Sequence, residues 1–195
     1  MHDQPWHELP LTALGVKISG GVSPAIVDVA VVPLLEGRPH MGGAYHSIVN
    51  PHRSVAPRPS IPPGLENDIL ALGPPLPYIR AKLTARLTGR AIICHDVNQT
   101  WRLLAQYCPD VQPVVCFDTL HLTQIVRPDV QRRSLTALLR WHELAEQTSS
   151  LAAEVPAQRA LWDAVGVGLL LPVLIRAWES RVSELAPEGL SLLTT

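Results

Sequence analysis

Residues 25–51 read AIVDVAVVPLLEGRPHMGGAYHSIVNP. Residues 25–35 form a near-continuous apolar, β-branched run, the pattern of a strand covered on both faces. Glu36-Gly37 interrupts the run and residues 44–49 resume it, which predicts consecutive strands joined by a hairpin. Upstream, residues 11–18 read as a strand, and Gly20-Gly21 with Ser23-Pro24 read as the turn into the central run. The chain therefore opens with three antiparallel strands.

Downstream the pattern changes. Residues 51–63 are proline-rich and predict an extended connection within the domain. Residues 65–72 predict a short helix. Residues 77–87 place Ile79, Leu83 and Leu87 on one helical stripe, with Gly89 as the stop. Residues 91–94 read as a brief buried strand, 95–100 as a loop or helix start, 101–107 as a helix and 114–117 as another strand. Two helices, 120–126 and 135–142, flank a polar segment at 127–133. A long helix over 157–185 closes the pattern, with Pro172 as a predicted kink. Three strands, then alternating helices and short strands, define an α/β mixed sheet flanked by helices.

Composition narrows the function classes. At 195 residues and 47% hydrophobic content the chain suits one domain with a substantial core. It divides into an extension at 1–10, a domain at 11–185 and a tail at 186–195. Lys+Arg 16 against Asp+Glu 17 leaves no global field to draw in nucleic acid, so any such binding requires a local patch. Cys94, Cys108 and Cys116 have neither disulfide arithmetic nor zinc-knuckle spacing, which points to a reducing cytoplasm. The N-terminus lacks a signal-peptide layout, and the longest apolar run, 165–175, is short for a bilayer span, so no membrane association is expected.

Five segments carry a resemblance. They are Ile26-Val27-Asp28-Val29-Ala30-Val31-Val32, Ile48-Val49-Asn50-Pro51, Ile92-Ile93-Cys94-His95-Asp96-Val97, Phe117-Asp118-Thr119-Leu120 and Gln158-Arg159-Ala160-Leu161-Trp162-Asp163-Ala164. In this order and spacing the chain resembles the DnaQ-like DEDDh 3'-5' exonucleases, the family of the DNA polymerase III epsilon subunit, over nearly its whole length. The resemblance implies a ribonuclease H-like fold. It also implies a site where four carboxylates hold two divalent metal ions and a histidine acts as base, the metals supplying hydroxide and steadying the phosphorane charge.

At the matching positions this chain has Gly15, Lys17, Thr100, Gln158 and Asp163. Only Asp163 keeps the family's residue type. One carboxylate beside an ammonium is a poor ligand set for Mg²⁺ or Mn²⁺, and the neutral amide of Gln158 has no useful pKa for base catalysis. No Asp-x-Glu occurs before Ala25, so a local shift of alignment does not restore the motif. The expectation is a vestigial site with no catalytic residues, no metal and no cofactor. If the aligned positions are right, Gly15→Asp, Lys17→Glu, Thr100→Asp and Gln158→His together should restore metal binding. Lys17 is expected to pair with Asp163.

Several groups need separate weighing. Asp28 reads as the family's second-strand acid outside the metal set, Asp96 as a turn or cap residue, and Asp118 as a residue of the fold. Cys94-His95-Asp96 cannot converge as a triad, because neighbours on a strand face opposite ways. His40, His46 and His52 read as dispersed surface histidines. Arg127, Arg132, Arg133 and Arg140 form a local positive excess, read as a solvated loop or as a phosphate contact. Ser19, Arg127, Arg132 and Arg133 are the candidate nucleic-acid contacts. The functional expectation is a non-enzymatic scaffold for a protein partner or a weak nucleic-acid binder, of open oligomeric state. Two alternatives stand beside it: an active exonuclease with an irregular Mg²⁺ or Mn²⁺ site, and a small-molecule activity in the old cleft.

Overall fold

A computed structural model describes residues 6–20, 24–55 and 64–185. The strands are β1 (Leu11–Ile18), β2 (Ile26–Leu35), β3 (Arg38–Pro39), β4 (Tyr45–Ile48), β5 (Ala91–Cys94) and β6 (Val115–Asp118). The helices are α1 (Asn67–Leu72), α2 (Leu76–Leu87), α3 (Val97–Tyr107), α4 (Thr119–Val126), α5 (Leu135–Trp141), α6 (Ala145–Leu151) and α7 (Ala160–Leu185). Strand order is β3-β2-β1-β5-β6, with β4 also pairing with β2. Pairing is antiparallel among β1 to β4 and parallel from β1 to β5 and from β5 to β6. The expected mixed sheet flanked by helices is present.

The central strands are apolar at consecutive positions because both faces of the sheet are covered. Ala13, Ala30, Val32 and Ile93 pack under α4 to α7, whereas Leu14, Val29, Val31 and Ile92 pack under α2 and α3. Each neighbouring pair on β2 thus serves two cores, which is why strand alternation is hidden in the sequence. The segment Ala160–Ser183 of α7 is long and apolar enough to cross a bilayer by length and composition. Most of it is instead buried as the central helix of one core.

Some expected boundaries move. The hairpin after β2 is made in two pieces, the two-residue β3 and then β4, separated by a short 3-10 turn at Met41–Gly43. Trp6 and Leu9 pack against the core, so residues 6–10 are attached to the domain body. α6 had no sequence signal: its segment AEQTSSL is short and largely polar, and it rests on α7 through the rest of the fold. α7 starts at Ala160, later than the expected 157, because Gln158 takes a left-handed φ of 69° that cannot continue a helix. The turn residues 21–23, most of the proline-rich connection (56–63) and the tail at 186–195 lie outside the described residues.

Candidate functional site

β1 places alternate side chains toward α7, so Gly15 and Lys17 share the face on which α7 begins. Lys17 stands opposite Asp28 on β2, beside a break in register between Lys17 and Ile18. Its ammonium forms an ion pair with the Asp163 carboxylate in the first turn of α7. Both side chains are about a fifth exposed, 20% and 21%. Burial pushes the Asp163 carboxyl up to about 6 even though Lys17 pulls the other way, and neighbouring Asp28 adds to the rise. The expected pair between Lys17 and Asp163 is thus formed.

Gly15 has a direct steric reason. A Cβ at this position would lie 2.0 Å from the Ala160 carbonyl oxygen and 3.1 Å from the Ala164 nitrogen. The backbone of α7 rests on the strand where the family has its first aspartate. The expected four-residue restoration of metal binding is therefore corrected: Gly15→Asp has no room for its first side-chain carbon. Neither sequence spacing nor motif matching carries that information, because the obstacle is a backbone remote in the chain.

Asp28 is fully buried and accepts from Arg159 Nε at 2.7 Å and from the Ala160 amide at 2.9 Å, and it pairs with His46 Nε2 at 2.7 Å. Burial raises its pKa, but His46, Arg159 and Ala160 together bring it below the ordinary carboxylate value. Its carboxylate holds the head of α7. His46 consequently leaves the group of dispersed surface histidines. Arg159 was missed from the sequence; the signal was Asp28 itself, since a carboxylate inside a buried strand demands a cationic partner.

The remaining aligned positions line the same cleft. A cavity of about 700 Å³ is walled by Gly15, Lys17, Thr100, Gln158, Asp163 and Arg133, among others. Thr100 donates its hydroxyl to the His95 carbonyl at 3.1 Å, and Gln158 is exposed at the rim. His95 bridges the Thr119 hydroxyl at 3.0 Å and the Arg133 carbonyl at 2.8 Å, and burial lowers its pKa, which keeps the ring neutral. Asp96 caps α3 by accepting from the Gln99 amide at 3.2 Å. Cys94 is buried and its thiol is pushed far up by burial, which removes it from nucleophilic chemistry at neutral pH.

The candidate nucleic-acid contacts separate. Ser19 is fully buried, its oxygen accepting from the Ala25 amide at 2.9 Å and from Arg53 at 3.2 Å, so it offers no exposed surface to a strand. Arg127 makes a bidentate pair with Asp129 at 3.0 and 2.8 Å and stacks on Trp141, 4.2 Å from the ring centroid. Its charge is locally answered. Arg132 and Arg140 are exposed, while Arg133 donates to the Pro128 carbonyl at 2.8 Å and lines the cleft.

The donor chemistry does not fit the divalent ions that such a fold implies. Of the aligned groups Asp163 alone is anionic, and it already faces an ammonium. Among the described residues no cluster of three His, Cys, Asp or Glu side chains converges as a metal site does.

The topology is that of the ribonuclease H-like exonuclease fold. Among solved structures the chain is similar to Exonuclease X in complex with 5' overhanging duplex DNA, at 20% identity and TM-score 0.58, covering 85% of this chain and 91% of that one. It is similar to the nuclease domain of 3'hExo, a DEDDh family member bound to rAMP, at 11% identity and TM-score 0.61, with the same coverage, 85% and 91%. The Neurospora crassa Pan2 catalytic unit matches at 18% identity and TM-score 0.51 over 92% of this chain and 30% of that one. No protein-family model and no curated protein matches the sequence.

Proposed function

We propose that this chain is a catalytically inert member of the exonuclease fold, acting as a scaffold for a partner or as a weak binder of nucleic acid. The single observation that carries the reading is the ion pair of Lys17 with Asp163, closed over by the backbone of Ala160 above Gly15. A two-metal mechanism requires several anionic oxygens converging on the cations. Here the converging groups are one ammonium and one carboxylate, and their charges cancel. The solved exonuclease-fold structures bind DNA and rAMP, which supports nucleic acid as the partner class of this fold.

The test is direct. Purified protein incubated with labelled single-stranded DNA or RNA and Mg²⁺ or Mn²⁺ should leave the oligonucleotides at full length. Metal-dependent shortening that Asp163→Ala abolishes would overturn the proposal in favour of an irregular active site.

A further inference from the structure

The helix layer on the sheet face away from α7 carries an unassigned cationic surface. α2 buries Ile79, Leu83 and Leu87, and the flank beside them carries Tyr78, Lys82 and Arg86 at successive one-turn spacings, Tyr78 and Lys82 exposed and Arg86 half-buried. At 1.5 Å per residue this stripe runs about 12 Å along the helix. Tyr78 is 77% exposed. Lys82 and Arg86 lie over the Tyr45 ring of β4, 5.8 and 4.8 Å from its centroid. The ring orients both cations without neutralising them.

The surrounding sequence supplies no counter-charge. Between Asp68 and Asp96 there is no Asp or Glu, while Arg80, Lys82, Arg86 and Arg90 fall in that stretch. Arg80 pairs with Asp110. Among the described residues Lys82, Arg86 and Arg90 form no ion pair with a carboxylate. Like charges at i and i+4 repel, and a polyanion relieves that repulsion.

We propose that the flank of α2 beside β4, with the exposed Arg90 beyond its end, docks single-stranded nucleic acid, phosphates on Lys82, Arg86 and Arg90 and a base stacked on Tyr78. Cations interleaved with an exposed aromatic ring suit a chain of phosphates carrying flat bases, and stacking makes the contact tolerant of sequence. An acidic peptide would satisfy the cations but leave the exposed ring without a planar partner. No residue of α2 lines the cleft cavity, so a strand held here lies outside it. The inference deepens the reading of an inert fold, in that the strand is held and not cut.

Anisotropy of a fluorescein-labelled oligo(dT), titrated with the full chain in EDTA across a salt series, tests it. Binding is expected, with a log–log salt slope of about −2 for three phosphate contacts on a single strand. Lys82→Gln/Arg86→Gln should weaken binding about tenfold or more and reduce the slope by about 1.4. Tyr78→Ala should weaken it about fivefold or more. Gln158→Ala, at the cleft rim, should leave the affinity unchanged. No binding by the wild type, unchanged affinity in an α2 variant with a wild-type melting curve, loss of affinity in Gln158→Ala, or tighter binding of poly-glutamate would each overturn the surface. None of these outcomes bears on whether Mg²⁺ activates cleavage. Shortening of oligonucleotides with metal would sink the inert reading and leave the α2 surface standing.

Discussion

Lys17 and Asp163 are matched, so each exposes the other when removed. Asp163 holds its proton up to about pH 6 in the folded chain, against an ordinary value of 3.8. Between those values the native state binds more protons than the unfolded state, so this group's contribution to stability is greatest at low pH and declines as pH rises through the window. Removing the ammonium raises the carboxyl further and carries the decline above pH 6. Lys17→Met should therefore be nearly neutral in acid and destabilising by about 1–4 kcal/mol in mild alkali, a range that reaches lower than for a fully buried pair because a fifth of each side chain is exposed. Urea midpoints at about pH 5 and about pH 8 measure the difference, and a loss that is equal at both would remove the ion pair from the account. Gly15 makes the second prediction at this scale. Gly15→Ala should destabilise by about 3 kcal/mol or more, since the new carbon meets a helix backbone that cannot rotate aside. A Gly15→Ala protein with the wild-type melting temperature would show that α7 does not rest on β1 as described.

At the level of elements, single carboxylates tie several segments together. Asp118, at the end of β6, accepts from the amides of Asp96 and Val97 at the head of α3 and of Leu120 and His121 at the head of α4, at 3.1, 3.0, 2.9 and 3.3 Å. It caps two helices at once. Asp118→Ala should cost about 1–4 kcal/mol, two caps at the usual 0.5–2 each. Asp118→Asn should recover part of that loss because its amide oxygen still accepts. Equal destabilisation by both substitutions would argue against capping. The matching device at α7 is Asp28 with Arg159 and Ala160. Asp28 is held below the ordinary carboxylate value, so its contribution is present above about pH 4 and is lost as pH falls through its folded pKa. The two aspartates of this face thus act on stability with opposite signs along the pH axis.

Across the whole molecule, a formal charge of −1 conceals a separation between layers. In the α7 layer Lys17 pairs with Asp163, Arg159 with Asp28 and Arg127 with Asp129, while Arg132 and Arg140 are exposed. On α2 Arg80 pairs with Asp110, whereas Lys82 and Arg86 have no carboxylate partner among the described residues. The sequence carries this signal in the carboxylate-free interval between Asp68 and Asp96, a gap less conspicuous than the run of arginines at 127–140. That cluster looked like the positive excess because linear proximity of arginines is visible, whereas the Asp129 clamp on Arg127 is a matter of geometry.

The order of most strands and helices, the two-sided burial of β2, and the lack of a carboxylate at Gly15, Lys17 and Thr100 and of a histidine at Gln158 were legible in the amino acids. They depend on local periodicity and residue type, which a linear string records completely. The pairing of Lys17 with Asp163 was also reachable, because the resemblance brought two distant positions to one place. Tertiary structure alone decided that the backbone at Ala160 occupies the space over Gly15, that Arg159 and His46 neutralise Asp28, and that α6 forms at all. Each of these rests on contact between segments far apart in the chain, and whether an atom fits between two backbones is set by their packing and not by the order of residues along either one.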